Sequence, residues 1–347
     1  MEYIIIIAIG LAILAIVTNK AAKQTIFGKI NKYRLRDKFQ PLPEVDSGEI
    51  TRTSADVFTV WEEPNVAETP TLHIGESGER YSTLTGVSWL DNETFIVNHR
   101  SGLKMAIFDL KDPSMPVWTG ELDYPTDDIA AKRIDATTWE VCVSGCWSAV
   151  YGRYQIRRSA TDMHAYEARL LETLAHAQRD FCHGVDYDDE NLCYSIHTGK
   201  RPRVTIGVKT YKLPFPWGVR DMCFDRKRNR HILVAVSANP KKTAYGNVVT
   251  SLWTLSKGAT KWECLSCFNN FHSDALDVCG DHIWLPDQLN DHLVAVDAET
   301  GKAVKRYSGD SLSFPHGLGI SPDGMIAVTN YGTSSVTIVD AARLLDR

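Results

Sequence analysis

Between Phe314 and Asp340 apolar and polar residues alternate in three short runs: Leu318 and Ile320, then Met325, Ala327 and Thr329, then Val336, Ile338 and Asp340. Pro322-Asp323-Gly324 and Gly332-Thr333-Ser334-Ser335 separate them. A period of two bounded by turn residues predicts antiparallel strands, and Asp-Gly suits a tight hairpin because glycine accepts positive φ. Similar stretches begin at Thr85, Asp128, His183, Gly218 and His272. With Gly86, Asp128, Gly184, Gly218, Ser273 and Gly317 taken as equivalent, successive copies lie 34 to 56 residues apart. That spacing is typical of four-stranded blades, so the expected fold class is all-β, a six-bladed β-propeller over residues 55–347.

The last copy is one strand short. An N-terminal strand is expected to complete it and so remove an open edge. Thr71–Ile74 takes the place that an outer strand has before each blade, and Asp56–Trp61 also reads as a strand. Tyr166–Ala177 reads equally as an outer strand or an inserted helix.

Ahead of the repeats, Tyr3–Val17 is an unbroken apolar run. Basic residues follow it, at Lys20, Lys23, Lys29, Lys32, Arg34, Arg36 and Lys38. The expectation is a transmembrane anchor over residues 1–19, then a basic juxtamembrane segment and linker over 20–54. By the positive-inside rule the expectation is a single-pass membrane protein with a cytoplasmic propeller, the competing reading being a signal-peptide core and a secreted or outward-facing form. The eight cysteines, mostly isolated in apolar runs, fit a reducing compartment, and Cys264-Leu-Ser-Cys267 reads as part of a strand. The remaining composition is ordinary: 44% apolar, 23% charged and a net charge of −5, with no basic excess or motif that would suit nucleic acid.

In a propeller the start of each innermost strand and the end of the next meet on one face. This pairs Gly86 with His99, Asp128 with Cys146, His183 with His197, Gly218 and Arg220 with Asn239, His272 and Asp274 with Asp287, and His316 with Asn330. Imidazole nitrogens and carboxylate or amide oxygens gathered from several blades are what a divalent cation, zinc or calcium, needs. The expected metal ligands are His183, His272 and His316, with Asp274, Asp287 or His197 as proton acceptor. His99, Asp128, Arg220, Asn239 and Asn330 complete the channel mouth. The same residues could equally hydrogen-bond loops around a wet channel.

The stretch FPHGLGISPDGMIAVTNYGTSSVTIVD resembles an NHL-type repeat, and the blade count is similar to that of NHL, SMP-30/gluconolactonase and strictosidine-synthase-like propellers. Resemblance to peptidyl-hydroxyglycine lyase implies zinc held by axial histidines, a role that falls to His183, His272 and His316. Resemblance to SMP-30-like lactonases implies an ion held by Glu, two Asn and Asp. Asn239, Asp287 and Asn330 match three of these, while Tyr81–Thr85 supplies no Glu. The expected function is that of a membrane-anchored hydrolase or lyase acting on a small molecule at the channel mouth. The alternative is a membrane-tethered binding or scaffold propeller for a protein or glycan partner.

Overall fold

The computed structural model describes residues 35–45, 55–59, 84–100, 103–113, 115–145, 150–176, 182–196, 202–214, 218–236, 248–309, 311–333 and 335–346. Their strands form six four-stranded antiparallel sheets. Blade 1 contains β2 (Leu84–Trp89), β3 (Thr94–His99), β4 (Lys104–Asp109) and β5 (Trp118–Glu121). Blade 2 contains β6 (Thr126–Arg133), β7 (Thr138–Gly145), β8 (Val150–Arg158) and β9 (Tyr166–Ala175), so the ambiguous stretch is an outer strand. Blade 3 contains β10 (Cys182–Tyr187), β11 (Leu192–Ile196), β12 (Arg203–Ile206) and β13 (Lys209–Lys212). Blade 4 contains β14 (Gly218–Asp225), β15 (Arg230–Val236), β16 (Val249–Ser256) and β17 (Glu263–Asn269). Blade 5 contains β18 (Asp277–Cys279), β19 (His282–Asp287), β20 (His292–Asp297) and β21 (Ala303–Ser308). Blade 6 contains β22 (Pro315–Ile320), β23 (Met325–Asn330), β24 (Ser335–Asp340) and, as its outer strand, β1 (Ala55–Thr59).

The N-terminal strand therefore closes the ring, but it is not the expected one. Ala55 to Thr59 pairs with Val339 to Ser335, occupying the free side of β24. Its Val57, Phe58 and Thr59 are strong strand formers. Thr71–Ile74 lies outside the described residues, as does the apolar run Tyr3–Val17. Among the described residues no helix is long and apolar enough to cross a membrane.

Part of the stretch read as a linker lies against the body. Leu35 is buried in the cluster shared by blades 3 and 4, and the Gln40 N–H donates to Cys267 O at 2.9 Å on the edge of blade 4.

The apolar core is divided among the junctions between blades. Ile96, Trp139 and Val143 belong to the junction of blades 1 and 2, and Trp284, Leu318 and Val339 to that of blades 5 and 6. Leu84, Phe108 and Ile338 join blade 6 to blade 1. Strand alternation explains this division, because both faces of each sheet must find an apolar neighbour.

At the axis the inner strands approach too closely for ordinary side chains. A Cβ on Gly317 would stand 2.1 Å from Thr85 O, and one on Gly184 would stand 2.4 Å from Asp221 Cα. Both clashes are with backbone of the next blade. Gly317→Ala is therefore expected to cost about 3 kcal/mol through overpacking, measured by denaturant unfolding; an unchanged midpoint would show that the blades can separate freely. Deleting Ala55–Thr59 is expected to lower the melting temperature of the whole ring, followed by circular dichroism. Loss confined to blade 6 would show that the ring does not depend on its clasp.

Candidate functional site at the channel mouth

The inner segments align without gaps over six residues beginning at Leu84, Thr126, Cys182, Val219, Ser273 and Pro315. Their second positions are Thr85, Asp127, His183, Arg220, Asp274 and His316, one from each blade. In blades 1, 2, 3, 4 and 6 this position falls within a break of register between the first two strands. Such a bulge turns the local side chain out of the regular alternation. The next backbone N–H then needs a partner from the second strand. Asn98 Oδ1 accepts from Gly86 N, Ser144 Oγ from Asp128 N and Thr329 Oγ1 from Gly317 N.

The resulting cluster is dense and polar. His183 Nε2 stands 2.9 Å from Asp127 Oδ2. His272 Nε2 and Arg220 Nε stand 3.0 and 3.1 Å from Asp274 Oδ1. Arg220 Nη1 is 3.3 Å from His183 Nε2. The rings of His183 and His316, from opposite blades, lie almost parallel with centroids 6.4 Å apart. Arg100 Nη1 lies 3.9 Å from Asp127 Oδ1 and 3.3 Å from the Tyr331 hydroxyl. Gln288 Nε2 donates to Asp274 Oδ2 at 3.0 Å, and Tyr331 stacks on His316.

His316 is the informative member. Its Nδ1 is 3.2 Å from the Thr85 carbonyl, which can only accept, so Nδ1 carries the proton. Burial lowers the pKa of this imidazole, against the pull of Asp274 and Asp127, and so favours its neutral form. Nε2 then presents a lone pair to Asp274 Oδ2 at 3.5 Å and Asp127 Oδ1 at 4.0 Å. Both carboxylates are ionised. Burial pushes Asp127 up, but His183 and Arg100 outweigh it and hold it below the usual range. Asp274 is likewise held well below, burial being overcome by Arg220 and His272.

Of the residues singled out in the sequence, His183, His272, Asp274, Arg220 and His316 come together here. Asp128 does not face the mouth cluster: its Oδ2 accepts from Val185 N in blade 3, while Asp127 takes the ring position. Asp287 holds a loop, accepting from the backbone of His272 and Leu289 and from Asn290 Nδ2. Asn330 is spent on Ser313 N, Ser335 Oγ and Thr337 Oγ1. His99 is buried opposite Leu84 at the end of β3. His197, Asn239 and Cys146 lie outside the described residues. Asp127, Arg100, Gln288 and Tyr331 were missed. The last three each follow the final residue of a second strand, and a one-residue step changes the face.

Below the ring runs a channel of about 1080 Å³, lined by Val87, Ile129, Val185, Met222, Leu276 and Leu318 and, among its aspartates, by buried Asp221 and half-buried Asp128, Asp186 and Asp277. Each aspartate accepts an N–H from the next blade: Asp128 from Val185, Asp186 from Phe224, Asp221 from Leu276 and Asp277 from Ile320. Burial pushes Asp186 up to about 8 and Asp128 and Asp277 up to about 6. The ring residues are not in the channel lining and close one end of it.

Fold and ring together define a six-bladed β-propeller with a polar axial site. No family model matches the chain, and no curated protein matches it. Similar solved structures include a nidogen/laminin complex, at 12% identity and a TM-score of 0.53, over 69% of this chain and 85% of that one. A Bacteroides thetaiotaomicron protein of unknown function is 10% identical with a TM-score of 0.55, over 75% and 70%. A luciferin-regenerating enzyme is 9% identical with a TM-score of 0.54, over 75% and 92%. At these identities the likeness is one of fold.

The titration of His316 tests the electrostatics. Asp127 raises its pKa, so Asp127→Asn is expected to lower it further, read from the pH dependence of ring ¹⁵N shifts in histidine-labelled protein. An unchanged or higher pKa would show that this carboxylate does not act on the imidazole.

Proposed function

We propose that the chain is a hydrolase or lyase acting on a small polar molecule at the channel mouth, with a divalent cation held by the ring. The observation supporting this is the placement of His316, whose Nδ1 is held by the Thr85 carbonyl so that Nε2 faces the carboxyl oxygens of Asp274 and Asp127, 3.5 and 4.0 Å away. A lone pair facing anions is unfavourable unless a cation lies among them. His316, Asp127 and Asp274, with His183 beside Asp127, provide nitrogen and oxygen donors of the types zinc accepts, spread more widely than 4.8 Å from one another. Such an ion supplies Lewis acidity toward a carbonyl or toward water.

The remaining residues have separable tasks. His272 is more exposed than the buried ring histidines and is oriented by Asp274, so it is placed to accept a proton. Arg100 and Arg220 supply positive charge for an anionic group on the substrate. They also balance the charges of Asp127 and Asp274. That balance favours a second reading, a binding propeller whose mouth accepts a charged group of a partner without chemistry. Membrane tethering by residues 1–19 is compatible with either reading and remains part of the proposal.

Metal content measured by mass spectrometry after incubation with zinc, calcium, manganese or ferrous iron separates the two. Wild type is expected to hold one ion at the mouth, and His316→Ala and Asp274→Asn are expected to weaken it by about 100-fold or more while circular dichroism is unchanged. Retention should fall in acid, once the pH drops below the pKa of His316, which burial holds under the ordinary imidazole value, because a protonated ring cannot ligate. A folded wild type whose metal content is unaffected by these substitutions would leave the binding propeller as the better account.

A further inference from the structure

The opposite end of the inner strands holds a second cluster, separate from the mouth. Asp188 follows β10, Cys193 is the second residue of β11, and His231 is the second residue of β15 in the next blade. All three are buried, and one carboxylate oxygen, thiol sulfur and imidazole nitrogen among them lie within 4.8 Å of one another. Among the described residues this is the one such group of three.

The local hydrogen bonds orient the carboxylate and leave the imidazole poorly served. Asp188 Oδ1 accepts from Glu190 N at 2.8 Å and Asn191 N at 2.5 Å. Oδ2 accepts from Asn191 Nδ2 at 3.2 Å and stands 3.5 Å from His231 Nε2. That last separation is long for a hydrogen bond. It is close to the edge of a tetrahedron around an ion with ligands at about 2.1 Å, which is about 3.4 Å. His231 is 4% exposed, and its Nδ1 has no hydrogen-bond partner among the described residues. Cys193 Sγ, 1% exposed, lies 3.8 Å from Asn191 O.

A comparable turn shows the alternative. Asp91 Oδ1 accepts from Glu93 N and Thr94 N, and Arg158 of the neighbouring blade brings a guanidinium to 3.0 Å from its other oxygen. Around Asp188 the cationic side chains are committed elsewhere, Arg226 to Asp189 at 3.0 Å and Lys257 to Glu190 at 3.2 Å.

We infer that Asp188, Cys193 and His231 form a zinc site that clamps blade 3 to blade 4. Thiolate, imidazole and carboxylate are zinc's own donor types, and one thiolate with one carboxylate balances its double charge. Binding releases the Cys193 proton to solvent. Asp188 also lines the channel, so the fourth position is left to a water molecule.

The test uses the full chain, stripped of metal by chelation and titrated with cobalt(II) chloride. A thiolate-to-cobalt charge-transfer band is expected in wild type. It should vanish in Cys193→Ser, which keeps the side-chain volume, and persist in His316→Ala, which disturbs only the mouth. Zinc should raise the melting temperature of wild type but not of Cys193→Ser, with folding of both confirmed by circular dichroism. His231→Gln should weaken zinc by about 100-fold or more. Absence of the band in folded wild type, its survival in Cys193→Ser, or its loss in His316→Ala would overturn the inference.

Discussion

The structure depends on how closely six inner strands can approach one axis. At the third position of the aligned inner segments five of the six blades use one of two solutions, blade 5 having Ala275 there. Gly86, Gly184 and Gly317 present no side chain, and an added Cβ would collide with the neighbouring blade in each case. Asp128 and Asp221 instead reach across and accept a backbone N–H from the next blade. Either way adjacent blades are fixed to each other near the axis, where a bulge directs the preceding residue to the mouth. The chemistry-bearing ring is thus a by-product of the same geometry that closes the propeller.

This arrangement also explains how two ionised carboxylates survive burial. An isolated buried charge would be too costly, whereas a carboxylate with a guanidinium and imidazoles around it recovers part of the lost hydration. Asp127 is served by His183 and Arg100, and Asp274 by Arg220, His272 and Gln288. The partners of Asp127 come from blades 1 and 3, and Asp274 adds Arg220 of blade 4 to His272 and Gln288 of its own blade, so neither group is fully satisfied within one blade. The ring can therefore exist only in the assembled propeller, and its polar network favours one relative placement of the blades.

Blade number and strand positions were legible because alternation between turns survives divergence of the individual residues. His183, Arg220, Asp274 and His316 were legible because they open inner strands. Asp127 was hidden by its neighbour: Asp128 corresponds to the glycines of other blades, and matching those glycines drew attention one residue too far along. Arg100, Gln288 and Tyr331 were hidden in the same way at the ends of second strands, where the face presented changes with each residue. Aligning all six inner segments position by position would have exposed Asp127. The group around His231 had no sequence signature, since Asp188 and Cys193 share a hairpin but His231 is brought in by the packing of the next blade. The closing strand was anticipated in kind, but its pairing on β24 depended on register that the sequence left open.

That closing strand sets the order in which the molecule can be completed. Ala55 pairs with Val339, so the ring joins residues separated by nearly the whole propeller sequence. Each interior blade folds from contiguous chain, with local contacts that form readily, whereas closure carries the loop entropy of all six blades at once. During synthesis the early blades can form while the first strand still lacks its partner, leaving a bare sheet edge exposed until Ser335–Asp340 has left the ribosome. The slowest and most aggregation-prone interval in the life of this protein should fall between the emergence of blade 5 and the seating of β1.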